Sequence, residues 1–269
     1  MKHLARRAPA LIVAMALALP AAHAQDARPA APSKAAMQGR VSPDADLAIS
    51  RMAQYLASLE SFTVVGRTSR DQIASEGFKL QHNEEVKLQV RRPDRMRVES
   101  SGDFGGRTFV YDGSQLAIHS ADDQAYVRIQ APPTLRILLG NALAAGIEMP
   151  LVDVVYQAVE GSLLNGVRGG LLVGDSTING IACQQLAFRQ GEVDWQIWIE
   201  KGDRPLPRKI VVTTRHELGQ PQFQALLDWD LSPRFNNATF RFDAPAGSTE
   251  LTFESNVPLD QDPSAGGSR

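Results

Sequence analysis

The sequence has almost no cysteine: Cys183 is alone among 269 residues. One thiol excludes an intrachain disulfide framework and any cluster of cysteine metal ligands. Charge of a single sign is missing too, since 28 lysines and arginines face 30 aspartates and glutamates. Without a broad basic field the chain is not a general nucleic-acid binder. Beyond the first two dozen residues no long apolar run occurs, which excludes an integral membrane segment in the rest of the chain. Motifs of chemistry are equally scarce. There is no HExxH, no G-x-S-x-G elbow, no Walker A sequence and no G-x-G-x-x-G.

What is present begins at the N-terminus. Lys2, Arg6 and Arg7 precede the apolar run Ala10 to Leu19, Pro20 breaks it, and Ala22-His23-Ala24 matches a small-x-small cleavage site. This reads as a secretory signal peptide over residues 1–24, because a membrane anchor needs about 20 apolar residues. Its removal leaves 25 basic and 30 acidic residues, a net charge of −5, in a protein expected to be secreted to the periplasm. Residues 25–42, rich in Ala and Pro, read as a flexible linker. A single domain is expected over 43–257, followed by a polar tail, 258–269.

Within that domain the hydrophobic period changes twice. Ser42 as N-cap, Pro43 at the first position and Asp44 and Asp46 in the first turn predict a helix. Leu47, Met52, Tyr55, Leu56 and Leu59 supply its apolar face. From Phe62 to Ile129 the period is two, as in Val86, Leu88 and Val90 alternating with Lys87, Gln89 and Arg91, which predicts antiparallel strands joined by tight turns such as Asp112-Gly113. Pro132-Pro133 stops the sheet. Residues 134–145 and 151–159 read as two helices split by Gly146 and Pro150, apolar on more than one face, so they must be covered on several sides or face a cavity. Strands return after Gly169, with Trp195, Ile197 and Ile199 on one face and Asp194, Gln196, Trp198 and Glu200 on the other. A one-residue register shift would exchange the two tryptophans. Thr239 to Phe242 and Leu251 to Phe253 are expected to be the last strands. The order predicts a mainly antiparallel β fold with helices, an α+β class whose ten or eleven strands form a strongly curved sheet or partial barrel.

Polar candidates are weak. His82, His119 and His216 have no partner at metal-ligand spacing; His119 near Asp122 and Asp123 reads as part of a solvated hairpin, and no metal or cofactor is expected. Asp228 and Asp230 share a strand face and read as its wet side rather than as an acid/base pair. Arg91, Arg92, Arg95 and Arg97 form a basic cluster suited to a solvated strand edge, to anionic head groups or to an acidic partner. Cys183 lies in a half-buried strand without an activating neighbour in sequence and reads as buried and inert.

Three stretches carry a family resemblance: Gly180-Ile181-Ala182-Cys183-Gln184-Gln185-Leu186-Ala187-Phe188-Arg189-Gln190, then Val193-Asp194-Trp195-Gln196-Ile197-Trp198-Ile199, then Pro205-Leu206-Pro207-Arg208-Lys209. Together with Pro132-Pro133, Met149-Pro150-Leu151 and Ala244-Pro245-Ala246-Gly247, they resemble the DUF2092 family of predicted periplasmic proteins. Where those relatives carry Asp-His after the cysteine, this chain has Gln184 and Gln185, so no metal or acid/base role carries over. The family in turn resembles, more distantly, the LolA/LolB-like lipoprotein carriers. That resemblance implies a half-open barrel with a helical lid over an apolar cavity that takes acyl chains. The expectation is therefore a non-enzymatic carrier or chaperone for a lipid or acylated lipoprotein. Its cavity would be lined by Leu88, Val90, Trp195, Ile197, Phe223 and Trp229 and covered by Leu138, Leu139, Met149 and Val152. The rival is an envelope protein-interaction or sensor module whose barrel is filled by its own side chains.

Overall fold

A computed structural model describes residues 40–253 except 146, 148, 150, 153–154, 157–159 and 161. The expected signal peptide and most of the linker and tail lie outside these residues. The chain is engaged from Val41, which bridges to Gly170. Helix α1 follows, Pro43–Ser58. The Ser42 hydroxyl accepts from the Ala45 amide at 3.3 Å, satisfying one of the amides a helix start leaves without a partner. Ala45, Ala48, Ile49, Met52 and Leu56 form its buried stripe.

Two antiparallel meanders make the sheet. The first runs β1 (Ser61–Ile73), β2 (Lys79–Arg91), β3 (Arg95–Gly102), β4 (Gly105–Tyr111), β5 (Gln115–Ser120) and β6 (Ala125–Gln130). Helix α2, Leu135–Ala144, interrupts the strands. The second meander runs β7 (Val167–Ile178), β8 (Ile181–Gln190), β9 (Val193–Glu200), β10 (Pro207–Thr214) and β11 (Gln222–Asp230). Strand β11 pairs antiparallel with β1, so the meanders join through the first strand. A two-residue strand, β12 (Thr249–Glu250), adds in parallel to β6. Among the described residues this gives twelve strands in the order β12-β6-β5-β4-β3-β2-β1-β11-β10-β9-β8-β7. The sheet does not close, and the expected class, mainly antiparallel β with helices, holds.

Register puts the apolar alternation onto one face. Val127, Ile118, Phe109, Val98, Leu88, Val64 and Trp229 are successive partners across seven strands. Ile210, Ile197, Leu186 and Leu172 continue the same face through the second meander. Such cross-strand pairs are the unit by which a sheet is held together, and both rows, except Val127 at the β6 edge, belong to the main core with α1 and α2. Trp195 lies on this helix-covered face. Trp198 lies on the outer face, in a separate small cluster with Cys183 and Val211, and the Lys209 ammonium stands over its ring at 5.1 Å.

Two terminal expectations are corrected. Thr239 to Phe242 is not a strand: Asn237–Phe240 forms a single 3-10 turn, because Asn236 and Thr239 cap each other's backbone amides. The last strand falls at Thr249–Glu250 rather than at Leu251 to Phe253. The first central helix appears as α2; the second, expected over 151–159, falls largely on residues outside those described.

Candidate functional site

Two segments lie against the helix-covered face, and they treat it differently. Helix α1 packs on the second meander. Arg51 on α1 donates to the Gly202 carbonyl at 3.4 Å, and Met52 and Leu56 meet Val64, Ile210, Leu227 and Trp229 around a void of about 10 Å³, the volume of about one water probe. The apolar core of this half is filled, and the recess of about 150 Å³ that remains beside α1 is bordered by the charged Arg51, Glu200 and Lys201. Leu151 completes the core: a Cβ on Gly66 would stand 2.1 Å from Leu151 Cδ1, so β1 carries a glycine where the lid segment presses onto the strand. Leu151 itself adopts φ +64°, a region unfavourable for a leucine and retained only where the surroundings impose it.

Helix α2 covers the first meander less completely. It is fixed at its start: the Tyr111 hydroxyl donates to the Pro132 carbonyl, the Leu135 amide to the Pro93 carbonyl at 2.9 Å, and the Thr134 hydroxyl accepts from the Ile137 amide. Burial, with Asp94 adding to it, raises the Tyr111 phenol to about 12. Between α2, the segment after it and strands β1 to β3 lies a cavity of about 120 Å³. Phe62, Leu88, Val90, Met96, Leu135, Leu139, Val152 and Val155 make its walls, and Arg92, Arg136, Tyr156 and Glu160 its polar groups. Mostly apolar walls with a few converging polar groups are the usual composition of a small-molecule site. On α2, Leu143 is exposed and Leu139 only half-buried, so this helix is apolar beyond the face it buries.

The residues expected to form one cavity divide between these regions. Leu88, Val90, Leu139 and Val152 line the 120 Å³ cavity. Trp229 borders the small void, its indole donating to the Pro207 carbonyl at 2.8 Å. Leu138, Met149 and Ile197 are packed in the core. Trp195 stacks on Phe188 with ring centroids 4.1 Å apart and donates to the Gln190 side chain. Phe223 packs half-buried against the core at the far end of β11. The division has one cause. Helix α1 occupies the face of the second meander, and the sequence reading had placed only the central helices over the sheet.

Arg92 is the site residue that sequence reasoning grouped elsewhere. It continues the inward series Val86, Leu88, Val90 by parity, one residue past the end of β2. Its Nη2 donates to the Leu56 carbonyl at 3.3 Å, and its buried Nε has no hydrogen-bond partner. Burial lowers the guanidinium pKa, and the nearby Glu160 carboxylate opposes that shift. Arg136 lies 3.8 Å from Glu160 at the mouth. The Tyr156 phenol is pushed up by burial and by Glu160. The other members of the basic cluster are dispersed: Arg91 stands over the Phe240 ring at 5.2 Å, Arg95 pairs with Asp94 at 2.6 Å and Arg97 with Glu99 at 2.7 Å.

The remaining polar candidates are tied into the framework. Asp228 pairs with Arg67 at 2.8 Å on an exposed surface, and Asp230 accepts from the Ser232 amide. His119 contacts the Ser248 hydroxyl at 3.2 Å, and His82 packs against Phe104 with the rings tilted by 42°, its buried Nε2 without a hydrogen-bond partner. His216 lies 3.1 Å from the buried Glu192. Cys183 is buried, and burial raises its thiol pKa, which keeps it out of the reactive thiolate form. Gln184 borders a recess beneath α1, whereas Gln185 donates to Gln196 at 2.9 Å. Adjacent strand residues face opposite sides, so this pair cannot act on one ligand.

The family model for predicted periplasmic proteins, DUF2092, matches residues 45–254. The chain belongs to the DUF2092 family. No curated protein matches it. Solved structures similar to this DUF2092 protein include the Mycobacterium tuberculosis lipoprotein LppX, at 13% identity and TM-score 0.44, covering 72% of this chain and 100% of that one. LprF from Mycobacterium bovis matches at 13% identity and TM-score 0.45, covering 74% and 97%. A LolA superfamily protein from Nitrosomonas europaea matches at 9% identity and TM-score 0.33, covering 73% and 96%.

Proposed function

We propose that this DUF2092 protein is a non-enzymatic periplasmic carrier for a lipid or the acyl chain of a lipoprotein. The observation that carries the reading is the 120 Å³ cavity beneath α2, apolar in its walls and charged at its mouth. The residues around it suit solvation of a hydrocarbon tail with its polar end left at the rim. At about 0.8 kcal/mol per buried CH₂, a stretch of about ten carbons supplies micromolar affinity. The cavity is smaller than the roughly 300–1,000 Å³ of most ligand pockets, so a whole chain enters only as α2 moves outward. The exposed Leu143 and half-buried Leu139 fit that role.

Native mass spectrometry after gentle purification, with titration of the neutral probe N-phenyl-1-naphthylamine, tests the reading. A co-purifying lipid and micromolar probe binding are expected. Leu139→Trp fills the cavity and should abolish binding while the thermal midpoint stays within a few degrees. A lipid-free protein that binds no probe overturns the proposal. The filled half beneath α1 favours a second reading, an envelope-interaction module; capture of a protein partner by both the wild type and Leu139→Trp would support it.

A further inference from the structure

The carrier reading leaves open what kind of head group the cavity accepts. The mouth sets two arginines, Arg92 and Arg136, against one carboxylate, Glu160. It is therefore locally positive in a chain with more acidic than basic residues. Arg92 has the unusual position. Strand parity aims it at the apolar walls, and burial is already working against its charge. The Leu56 carbonyl accepts one hydrogen of Nη2, which leaves the other in the plane of the guanidinium, while Nε is buried without a partner. A charged donor buried and unsatisfied is costly, and the cost disappears when an acceptor arrives. The Nε/Nη edge of arginine is a planar fork that matches two oxygens of one oxyanion.

We propose that the ligand is an anionic amphiphile, a carboxylate or phosphate head group on an apolar tail, with Arg92 receiving the head group at the cavity mouth. Arg136 adds a second positive charge from the exposed side. Glu160, now 3.8 Å from Arg136, is the internal anion against which the head group competes. The proposal rests on the carrier reading and adds a sign of charge to it. It gives Arg92 a role beyond tying β2 to the end of α1.

The test is competition against N-phenyl-1-naphthylamine bound to the full-length protein, using dodecanoate, dodecyl phosphate and dodecanol. Both anions should bind about ten- to a hundredfold more tightly than the alcohol, the range of a charge-assisted hydrogen bond. The stronger of the two identifies the head group as carboxylate or phosphate. Arg92→Gln should remove that preference, so that the two anions bind no more tightly than dodecanol. Arg92→Lys, which keeps the charge without the fork, should restore only part of it. Glu160→Gln, at the mouth, should widen the preference and serves as the readout if Arg92→Gln fails to fold. Equal binding of all three ligands to the wild type, or a preference that ignores both Arg92 and Glu160, overturns the anionic head group and leaves the carrier standing. Absence of binding by the probe and all three ligands overturns both.

Discussion

The two halves of the helix-covered face are built from the same alternation of β-branched, aliphatic and aromatic residues, yet they end in different states. Between α1 and strands β1, β10 and β11 the apolar side chains interdigitate around a void of about 10 Å³, and the space that remains beside α1, a recess of about 150 Å³, has Arg51, Glu200 and Lys201 in its walls; under α2 a mostly apolar cavity of about 120 Å³ persists. Both sets of strands contribute apolar side chains to the core, and the difference lies in what covers them. Helix α1 lays a continuous stripe of small and medium residues, Ala45, Ala48, Ile49, Met52 and Leu56, onto the sheet. Helix α2 is shorter, keeps Leu143 outside and contributes Arg136 to an opening that it shares with Arg92, just past β2, and with Glu160. A sheet of this kind is closed or left accessible by its lid rather than by its strands.

Substitutions on the two sides measure that contrast. The largest effect is expected from Ile197→Ala in the filled half, where truncating a fully packed side chain costs about 2–5 kcal/mol, read as a fall in the chemical-denaturation midpoint. Gly66→Val comes next. It drives a side chain into Leu151, and overpacking of this kind costs about 1–3 kcal/mol; increased dye binding to exposed apolar surface should accompany the loss. Leu139→Ala, at the cavity wall, should cost about 1 kcal/mol or less, because the side chain is only half-buried and space already adjoins it. A cost equal to that of Ile197→Ala would abolish the distinction between the halves.

The smallest effect concerns the turn between β4 and β5. Burial would raise the Asp112 pKa, but hydrogen bonds from Gln115 and Ser114 outweigh it and hold the carboxylate below its ordinary value. A carboxylate depressed in the folded state adds stability above its unfolded pKa of about 4, and that contribution is lost as pH falls through the lower folded value. Asp112→Asn should therefore be less stable than the wild type at pH 7, by under about 1 kcal/mol at this solvated site. The gap should close in acid. A gap that persists at pH 2 would remove the electrostatic explanation.

Much of the fold is legible as parity. Val86, Leu88 and Val90 announce an inward face, and the tight turns between strands are marked by Asp112-Gly113 and its counterparts. The cavity is only partly legible. An amphipathic stripe says that α1 is buried but not against which strands, and that missing fact separated Trp195, Ile197 and Phe223 from Leu88 and Val90. Arg92 was readable, since it falls on the inward parity, but its neighbours Arg91, Arg95 and Arg97 drew it into a surface cluster. Gly66 carried a signal as well: a lone glycine inside a strand pattern marks close approach by another segment. Thr239 to Phe242 misled because four alternating residues fit a strand as well as a capped turn, and only the reciprocal hydrogen bonds of Asn236 and Thr239 decide between them.

The way the meanders join has a kinetic consequence. Strand β1 meets β2 across a short turn, but its other neighbour is β11, and the ion pair that crosses this seam links Arg67 to Asp228, 161 residues apart. Contacts so distant in sequence form late, because the intervening chain must be ordered before they stabilise anything. As the chain is released from its N-terminus, β1 to β6 can assemble while one whole edge of β1 stays bare, a row of unpaired amides and carbonyls that invites foreign strands. Arg67 and Arg70 stand on that edge. Charges there discourage mispairing during the wait, and Arg67 then finds its carboxylate when β11 arrives.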